Sequence, residues 1–352
     1  MSNQEYRLSG RLGADSIKLN KSSSIPEPGP GQVQIKFHAC SINYRDLLIS
    51  KGLYPVSSKT DIVPISDGAG EITAVGENVT DLKIGDRVTP NFNQDHLQGQ
   101  LTEKESGSCL GSGLDGCLRQ YGVFRAASCV KIPDSLSYEE ASTLPCAALT
   151  AWNALYGNSD KPLKSDHTVL VQGTGGVSVF GAQFALAAGA KVILLSSTDT
   201  KIARVRRFLV HRNLSTINYS ATPQWGKRVK DLTGGRGVDH ILEIGGEKTL
   251  KQSCEALASG GTINVIGYLS MIGTGPSMSG LEVFIAVLSK NACIRGLAIG
   301  SVEQFNAMNA AIETHKIKPI VDKAFEFEDL KNAFEYLSGQ KHIGKIVIKV
   351  PQ

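Results

Sequence analysis

The sequence predicts an α/β chain in which a doubly wound, Rossmann-type parallel sheet accompanies a β-rich portion. Three observations carry this. First, short apolar runs without alternation (TVLVQG from Thr168, KVILLSS from Lys191, VDHILEIGG from Val238, GTINVIGY from Gly261) are divided by helix-length segments. That texture belongs to parallel strands covered on both faces. Second, the first of these runs ends in a cluster of glycines immediately before a helical stretch. Third, the first 145 or so residues read instead as short strands and frequent turns.

In chain order, VQIKF (Val33 to Phe37) alternates apolar and polar residues, as a half-buried strand does. GAGEITAVG (Gly68 to Gly76) and GDRV (Gly85 to Val88) read as further strands punctuated by Gly and Asp. Asn91 to Gly116 is rich in Gly and Ser and reads as a long loop, flexible around SGSCLGSGLDGC. Ser137 and Glu140 in SYEEASTL form a capping-box pattern that starts a helix. GVSVFGAQFALAAGA and TLKQSCEALAS have helical character, and the α/β part runs from about Ala148 to Gly300. The tail returns to helices (QFNAMNAAIETH, LKNAFEYLSGQ) and ends in the strand KIVIKV.

At 352 residues the chain is long enough for two domains. With 37 basic and 33 acidic residues the net charge is +4, a weak field that suggests neither a nucleic acid nor a membrane as partner. No signal peptide is apparent, and the longest nearly apolar stretch, Val177 to Leu195, is interrupted by Gln183, Gly189 and Lys191. The seven cysteines are odd in number and scattered, without a CxxC pair. This argues against a disulfide framework or a structural zinc site and for a reducing, cytoplasmic compartment.

The most specific local signal is VLVQGTGGVS. Gly173, Thr174, Gly175, Gly176 and Val177 stand between strand and helix. There the free N–H groups and positive dipole end of a helix can receive a pyrophosphate that the glycines let approach. The third glycine of G-x-G-x-x-G is replaced by Ser178, which is small enough to preserve packing. An ordinary tight turn is the plainer alternative. At the end of the second strand, where NAD sites place an acidic residue on the ribose, the chain has Ser196 and Ser197. Lys201 and Arg204 follow on one helix face, with Asp199 nearby. This pattern favours NADP(H) over NAD(H), the alternative being a solvated basic helix.

SINYRDLLISKGLYP, GAGEITAVGENV, GDRV, LPCAALTAWNAL, GTGGVS, LTGGRGVDHILEIGG and HIGKIVIKV together resemble the medium-chain dehydrogenase/reductase superfamily along nearly the whole chain. The resemblance implies a GroES-like domain from residues 1–147 and 301–352 with the Rossmann domain, residues 148–300, inserted between them. It implies a cofactor site that includes Thr150, Ile244, Gly245, Ile266 and Gly267, with Lys201 and Tyr219 (in TINYSA) on the 2′-phosphate of NADP. It also implies a homodimer acting on a small-molecule substrate.

The departures bear on chemistry. The family's catalytic zinc is held by Cys, His and a second Cys or an acid. In register, this chain has Asn43, then Ser66 and Asp67, and only Cys146 matches a ligand. An amide and a hydroxyl are poor zinc ligands, so the chain resembles the zinc-lacking, quinone-oxidoreductase-like branch. In that branch Asn43 and Tyr54 match the residues beside the nicotinamide. The expectation is hydride transfer to a quinone or α,β-unsaturated carbonyl, with Tyr54 supplying a proton or hydrogen bond and Asn43 orienting the acceptor. An alcohol dehydrogenase or carbonyl reductase, and a non-catalytic NADPH-binding protein, stay open.

Overall fold

The computed structural model describes residues 2–55, 58–268 and 279–352. The chain divides into two compact units. One is Met1–Leu149 with Ile299–Gln352 and the other is Thr150–Ala298. Each is described by itself.

The first unit is built on β1 (Asn3–Leu8), β2 (Ile17–Ser23), β3 (Gln32–Ile42), α1 (Tyr44–Ser50), β4 (Asp67–Val75), β5 (Arg87–Pro90), α2 (Glu103–Ser106), β6 (Tyr121–Arg125), β7 (Cys129–Lys131) and α3 (Tyr138–Ala141). The second runs through α4 (Leu149–Tyr156), β8 (Thr168–Gln172), α5 (Gly176–Ala187), β9 (Lys191–Ser196), α6 (Asp199–Phe208), β10 (Leu214–Asn218), α7 (Trp225–Leu232), β11 (Val238–Glu243), α8 (Glu247–Ala256), β12 (Leu257–Val265), α9 (Gly280–Lys290) and β13 (Cys293–Gly296). The first unit is completed by α10 (Val302–His315), β14 (Val321–Glu326), α11 (Leu330–Ser338) and β15 (Lys345–Lys349).

In the first unit, β14-β15-β3-β4-β5-β7 form one sheet, with β6 also paired to β3. β3 is long enough to serve two partners in series. Gln32 to Lys36 pair with β6, and Ala39 to Ile42 pair with β15. This brings the C-terminal strand beside the residues that precede α1. Phe37, Ile35, Val88, Ile346 and Ile348 lie in its core. The expected cap of α3 is present, with Glu140 N–H donating to Ser137 Oγ at 3.2 Å.

The stretch Asn91 to Gly116 is irregular as expected, apart from α2, but it is not a flexible tether. Asn91, Asn93, Gln94, His96, Cys109 and Ser112 are all buried, and Cys117 just beyond them is buried too. A Cβ at Gly116 would lie 2.1 Å from the Ile65 carbonyl oxygen. Glycine there serves close backbone packing, which composition alone cannot distinguish from mobility.

The second unit holds six parallel strands in the order β10-β9-β8-β11-β12-β13. This is the third-second-first-fourth-fifth-sixth order of a Rossmann sheet, whose strand direction of travel reverses between β8 and β11. Every residue of β8 is buried, and β9 is buried after its first residue, which explains the lack of alternation in these runs. Helix α5 lies tight on the sheet at Gly181, where a Cβ would come 2.4 Å from Leu242 Cδ2. The helix read into TLKQSCEALAS ends at Ala256, and its last residues already belong to β12.

His240 on β11 is buried, with Nε2 3.1 Å from His167 Nδ1. Burial, with the neighbouring charges of His167 and Lys161 and against that of Asp239, pushes its pKa down to about 4. The unfolded chain binds this proton near pH 6.5. Stability from His240 is therefore intact above that pH and declines as pH falls toward 4, by at most about 3 kcal/mol. Asp46 in the first unit, pushed up to about 6 by burial, acts in the opposite sense over part of the window. The expected result is that a His240→Gln variant loses less stability than the parent between pH 6.5 and 4.5 in denaturant titrations. Parallel curves would refute it.

Candidate active site

Asn43 stands at the N-cap of α1 with extended backbone, and its N–H donates to Asp46 Oδ2 at 2.8 Å. Asp46 is buried and paired to Arg45, 3.2 Å away. Arg45 in turn donates to the Leu110 carbonyl at 3.1 Å and Ser112 Oγ at 2.8 Å. Its guanidinium covers the rings of Phe92 and Tyr54, at 4.7 and 5.4 Å from their centroids. The buried stretch after Asn91 is thus what holds Arg45, and Arg45 holds α1 and Tyr54. Tyr54 is half-buried against the core of this unit, and its hydroxyl has no hydrogen-bond partner among the described residues.

The structure gathers the residues in register with metal ligands around a residue that the sequence reading did not single out. Lys345, the first residue of β15, is buried. Its ammonium donates to the Ile42 carbonyl at 3.0 Å and to Asn43 Oδ1, and lies 3.6 Å from Asp67 Oδ2. Asp67 Oδ1 accepts from Ser66 Oγ at 2.7 Å. Burial pushes the Cys146 thiol well up, and the nearby charge of Asp67 adds to this. The site is thus an amide, a hydroxyl, a protonated thiol and an ammonium–carboxylate pair. Among the described residues no three His, Cys, Asp or Glu side chains come together to hold a metal ion. The catalytic zinc of the superfamily that the sequence resembles does not fit this donor set. A lysine opening a strand that is buried on both faces was the available signal, since such a strand must bury its first residue too.

In the second unit, the glycine turn closes the C-terminal end of β8. Gly173 has φ +85°, a left-handed conformation suited to glycine, and a Cβ there or at Gly175 would meet nothing within 4 Å. The space above the turn is therefore open, and the first N–H groups of α5 lack intrahelical acceptors. These features fit a dinucleotide pyrophosphate. Ser178 does more than remain small, because its hydroxyl donates to the Gln172 carbonyl at 2.6 Å and ties the helix start to the strand end.

Across the switch point, Glu243 at the end of β11 is a buried acceptor hub. It receives Gln172 Nε2 at 2.7 Å, Gly246 N–H at 2.9 Å, and the hydroxyls of Thr249 and Ser253. Gln172 Oε1 accepts the N–H groups of Ile244 and Gly245, both at 3.1 Å. The Glu243 carbonyl accepts those of Ile266 and Gly267. The four predicted residues after β11 and β12 are thus held by the Gln172 side chain and the Glu243 main-chain carbonyl, two residues that the sequence reading passed over.

At the end of β9, Ser196 Oγ is buried without a partner, as is Thr150 Oγ1 at the start of the unit. Tyr219 is partly exposed, and its N–H donates to the Ser196 carbonyl at 2.9 Å. Ser197 and Thr198 lead into α6, where Lys201 N–H donates to Thr198 Oγ1 at 3.3 Å. Partial burial, with Arg204 beside it, lowers the Lys201 pKa. Asp199 is turned aside, accepting from Asn218 Nδ2 at 3.1 Å. Ser196, Ser197, Lys201 and Tyr219 therefore come together at one strand end.

Residues 29–134 match the family described as alcohol dehydrogenase GroES-like domain, and residues 176–314 match the family described as zinc-binding dehydrogenase. A zinc-type alcohol dehydrogenase-like protein of Schizosaccharomyces pombe is 46% identical over 96% of each chain. Human quinone oxidoreductase is 26% identical over 96% of this chain and 94% of its own. A solved structure described as an alcohol dehydrogenase of Sinorhizobium meliloti is 36% identical, covers 99% of this chain and 100% of its own, and superposes with a TM-score of 0.88. With a Rossmann sheet, a GroES-like unit and relatives of this closeness, the chain belongs to the medium-chain dehydrogenase/reductase superfamily and is one of its nicotinamide-dependent oxidoreductases.

Proposed function

We propose that this protein is a zinc-independent, NADPH-dependent reductase of quinones or α,β-unsaturated carbonyls. The observation that carries the reading is Asn43, whose Nδ2 donor is buried without a partner at a cluster that holds no set of metal ligands among the described residues. The positive charge of Lys345 in that cluster repels a divalent cation. When bound, the nicotinamide supplies the hydride. The chain's own residues orient the acceptor and manage its charge. Asn43 Nδ2 donates to the acceptor oxygen, and the Tyr54 hydroxyl, with no partner of its own among the described residues, hydrogen-bonds the developing anion or gives it a proton. Acceptors whose carbon is already electron-poor suit a site without a Lewis acid.

Gly173, Thr174, Gly175, Gly176 and Val177 would hold the pyrophosphate. Thr150, Ile244, Gly245, Ile266 and Gly267 would line the rest of the cofactor. Ser196 and Ser197 would leave room for a 2′-phosphate that Lys201 and Tyr219 bind. The names of its relatives favour a second reading, an alcohol dehydrogenase or carbonyl reductase. Cofactor oxidation by protein of known metal content separates the two. The first reading expects turnover with quinones or enones and NADPH, and none with ketones or alcohols. One tightly held zinc ion per chain, or the reverse substrate pattern, overturns it. On the best acceptor Tyr54→Phe should lower kcat by about 100-fold, and unchanged turnover removes Tyr54 from the chemistry.

Helix α9 supports a homodimer. Leu281, Phe284, Ile285 and Leu288 recur along one face and are 57–84% exposed. The strand that follows, β13, is last in its sheet and leaves an edge for a second copy. Light scattering should give twice the chain mass for the parent and a monomer for Phe284→Glu. A monomeric parent would rule this out. Free thiols at all seven cysteines suit a cytoplasmic site of action.

A further inference from the structure

The Lys345 ammonium has three N–H donors and no acceptor, so any group facing it must accept. Lys345 is 4% exposed, so bulk water cannot take the place of the Asn43 oxygen beside it. The Asn43 amide therefore has one orientation available. Oδ1 faces the ammonium, and reversing the amide would set its NH2 against another donor. Nδ2 is then directed away from Lys345, where it is buried without a partner. The rest of the arrangement keeps Lys345 in place. Asp67 holds it electrostatically, Ser66 holds Asp67, and the register of β15 on β3 sets Ile346 opposite Ile42. Asp46 fixes the Asn43 backbone from the other side.

We propose that Lys345, held by Asp67, is a positioning residue that presents Asn43 Nδ2 as a fixed hydrogen-bond donor to the oxygen of the acceptor. The proposal rests on the role given to Asn43 under the proposed function. It adds that the donor is oriented by an internal cation rather than by a metal ion.

Lys345→Met alone would leave Asp67 as an unpaired buried charge and so confuse folding with positioning. The test is therefore the neutral pair Lys345→Met with Asp67→Asn. It should unfold cooperatively and bind NADPH as the parent does, while kcat falls by about 100-fold, the effect of a lost oxyanion donor. Added to Asn43→Ala it should cause no further loss, because both changes remove the same donor. Parental kcat in the pair, or losses that multiply, would overturn the proposal.

Should the pair not fold, Asn43→Asp with Asp67→Asn carries the test. It keeps one carboxylate facing Lys345 and so the charge balance, but removes the Asn43 N–H, so stability should hold while kcat falls. A parental kcat refutes the proposal there too. The ratios are taken on whichever substrate the parent turns over. A parent active only on alcohols or ketones defeats the functional reading but still tests Lys345. A parent that neither binds nor turns over any such substrate defeats both.

Discussion

Glu243→Leu is expected to be the most damaging single change in the second unit, with a loss of about 4 kcal/mol. The leucine is near the size of the residue it replaces, so the cost is not a cavity. It comes from the four donors that converge on the carboxylate, namely Gln172 Nε2, Gly246 N–H and the hydroxyls of Thr249 and Ser253. A buried donor left unmade costs about 1–3 kcal/mol, and the two hydroxyls can partly re-aim. At the sensitivity of a unit this size the unfolding midpoint should drop by roughly 10 °C. NADPH binding should weaken as well, because Gln172 would no longer be held against the N–H groups of Ile244 and Gly245. Glu243→Gln retains one acceptor oxygen and should lose less than half as much. Calorimetry and cofactor titration check both effects. A Leu variant as stable as the parent would mean that the hub is relieved by water.

The second large effect concerns cofactor choice. Replacing Lys201 and Arg204 together by Ala should weaken NADPH binding by about 100-fold, the worth of one or two charge-assisted bonds to a phosphate. NADH binding should be unchanged, because NADH lacks that phosphate. Partial burial, with the Arg204 charge beside it, lowers the Lys201 pKa, so two cations lie close together on α6. Asp199, which opens α6, accepts from Asn218 Nδ2. Equal weakening of both cofactors would show that the two residues act through the fold of α6, and the NADPH preference would fall.

Much of this was legible in the sequence because it depends on local patterns. The buried parallel strands announced themselves by lacking alternation. Gly173 and Gly175 stood out because a strand, a tight turn and a helix must follow one another within a few residues. Asn43, Ser66 and Cys146 could be compared with metal-ligand positions because the motifs around them keep register. Other features were not legible. SGSCLGSGLDGC reads as flexible because glycine is used both for freedom and for close packing, and burial together with the close backbone approaches at Gly113 and Gly116 distinguishes the two. Glu243 and Gln172 are single polar residues at the ends of apolar strands, seventy-one positions apart, and no local pattern pairs them.

The sequence by itself determined the fold class, the superfamily and the place of the glycine turn between β8 and α5, since each follows from residues adjacent in the chain. Only the tertiary structure decided what stands in place of metal ligands. Asn43 and Lys345 are 302 positions apart and meet because β15 pairs with the end of β3. Strand register sets which buried groups share a space, and in that space an ammonium must be met by acceptors. This is the physical reason why the Asn43 amide has a single orientation.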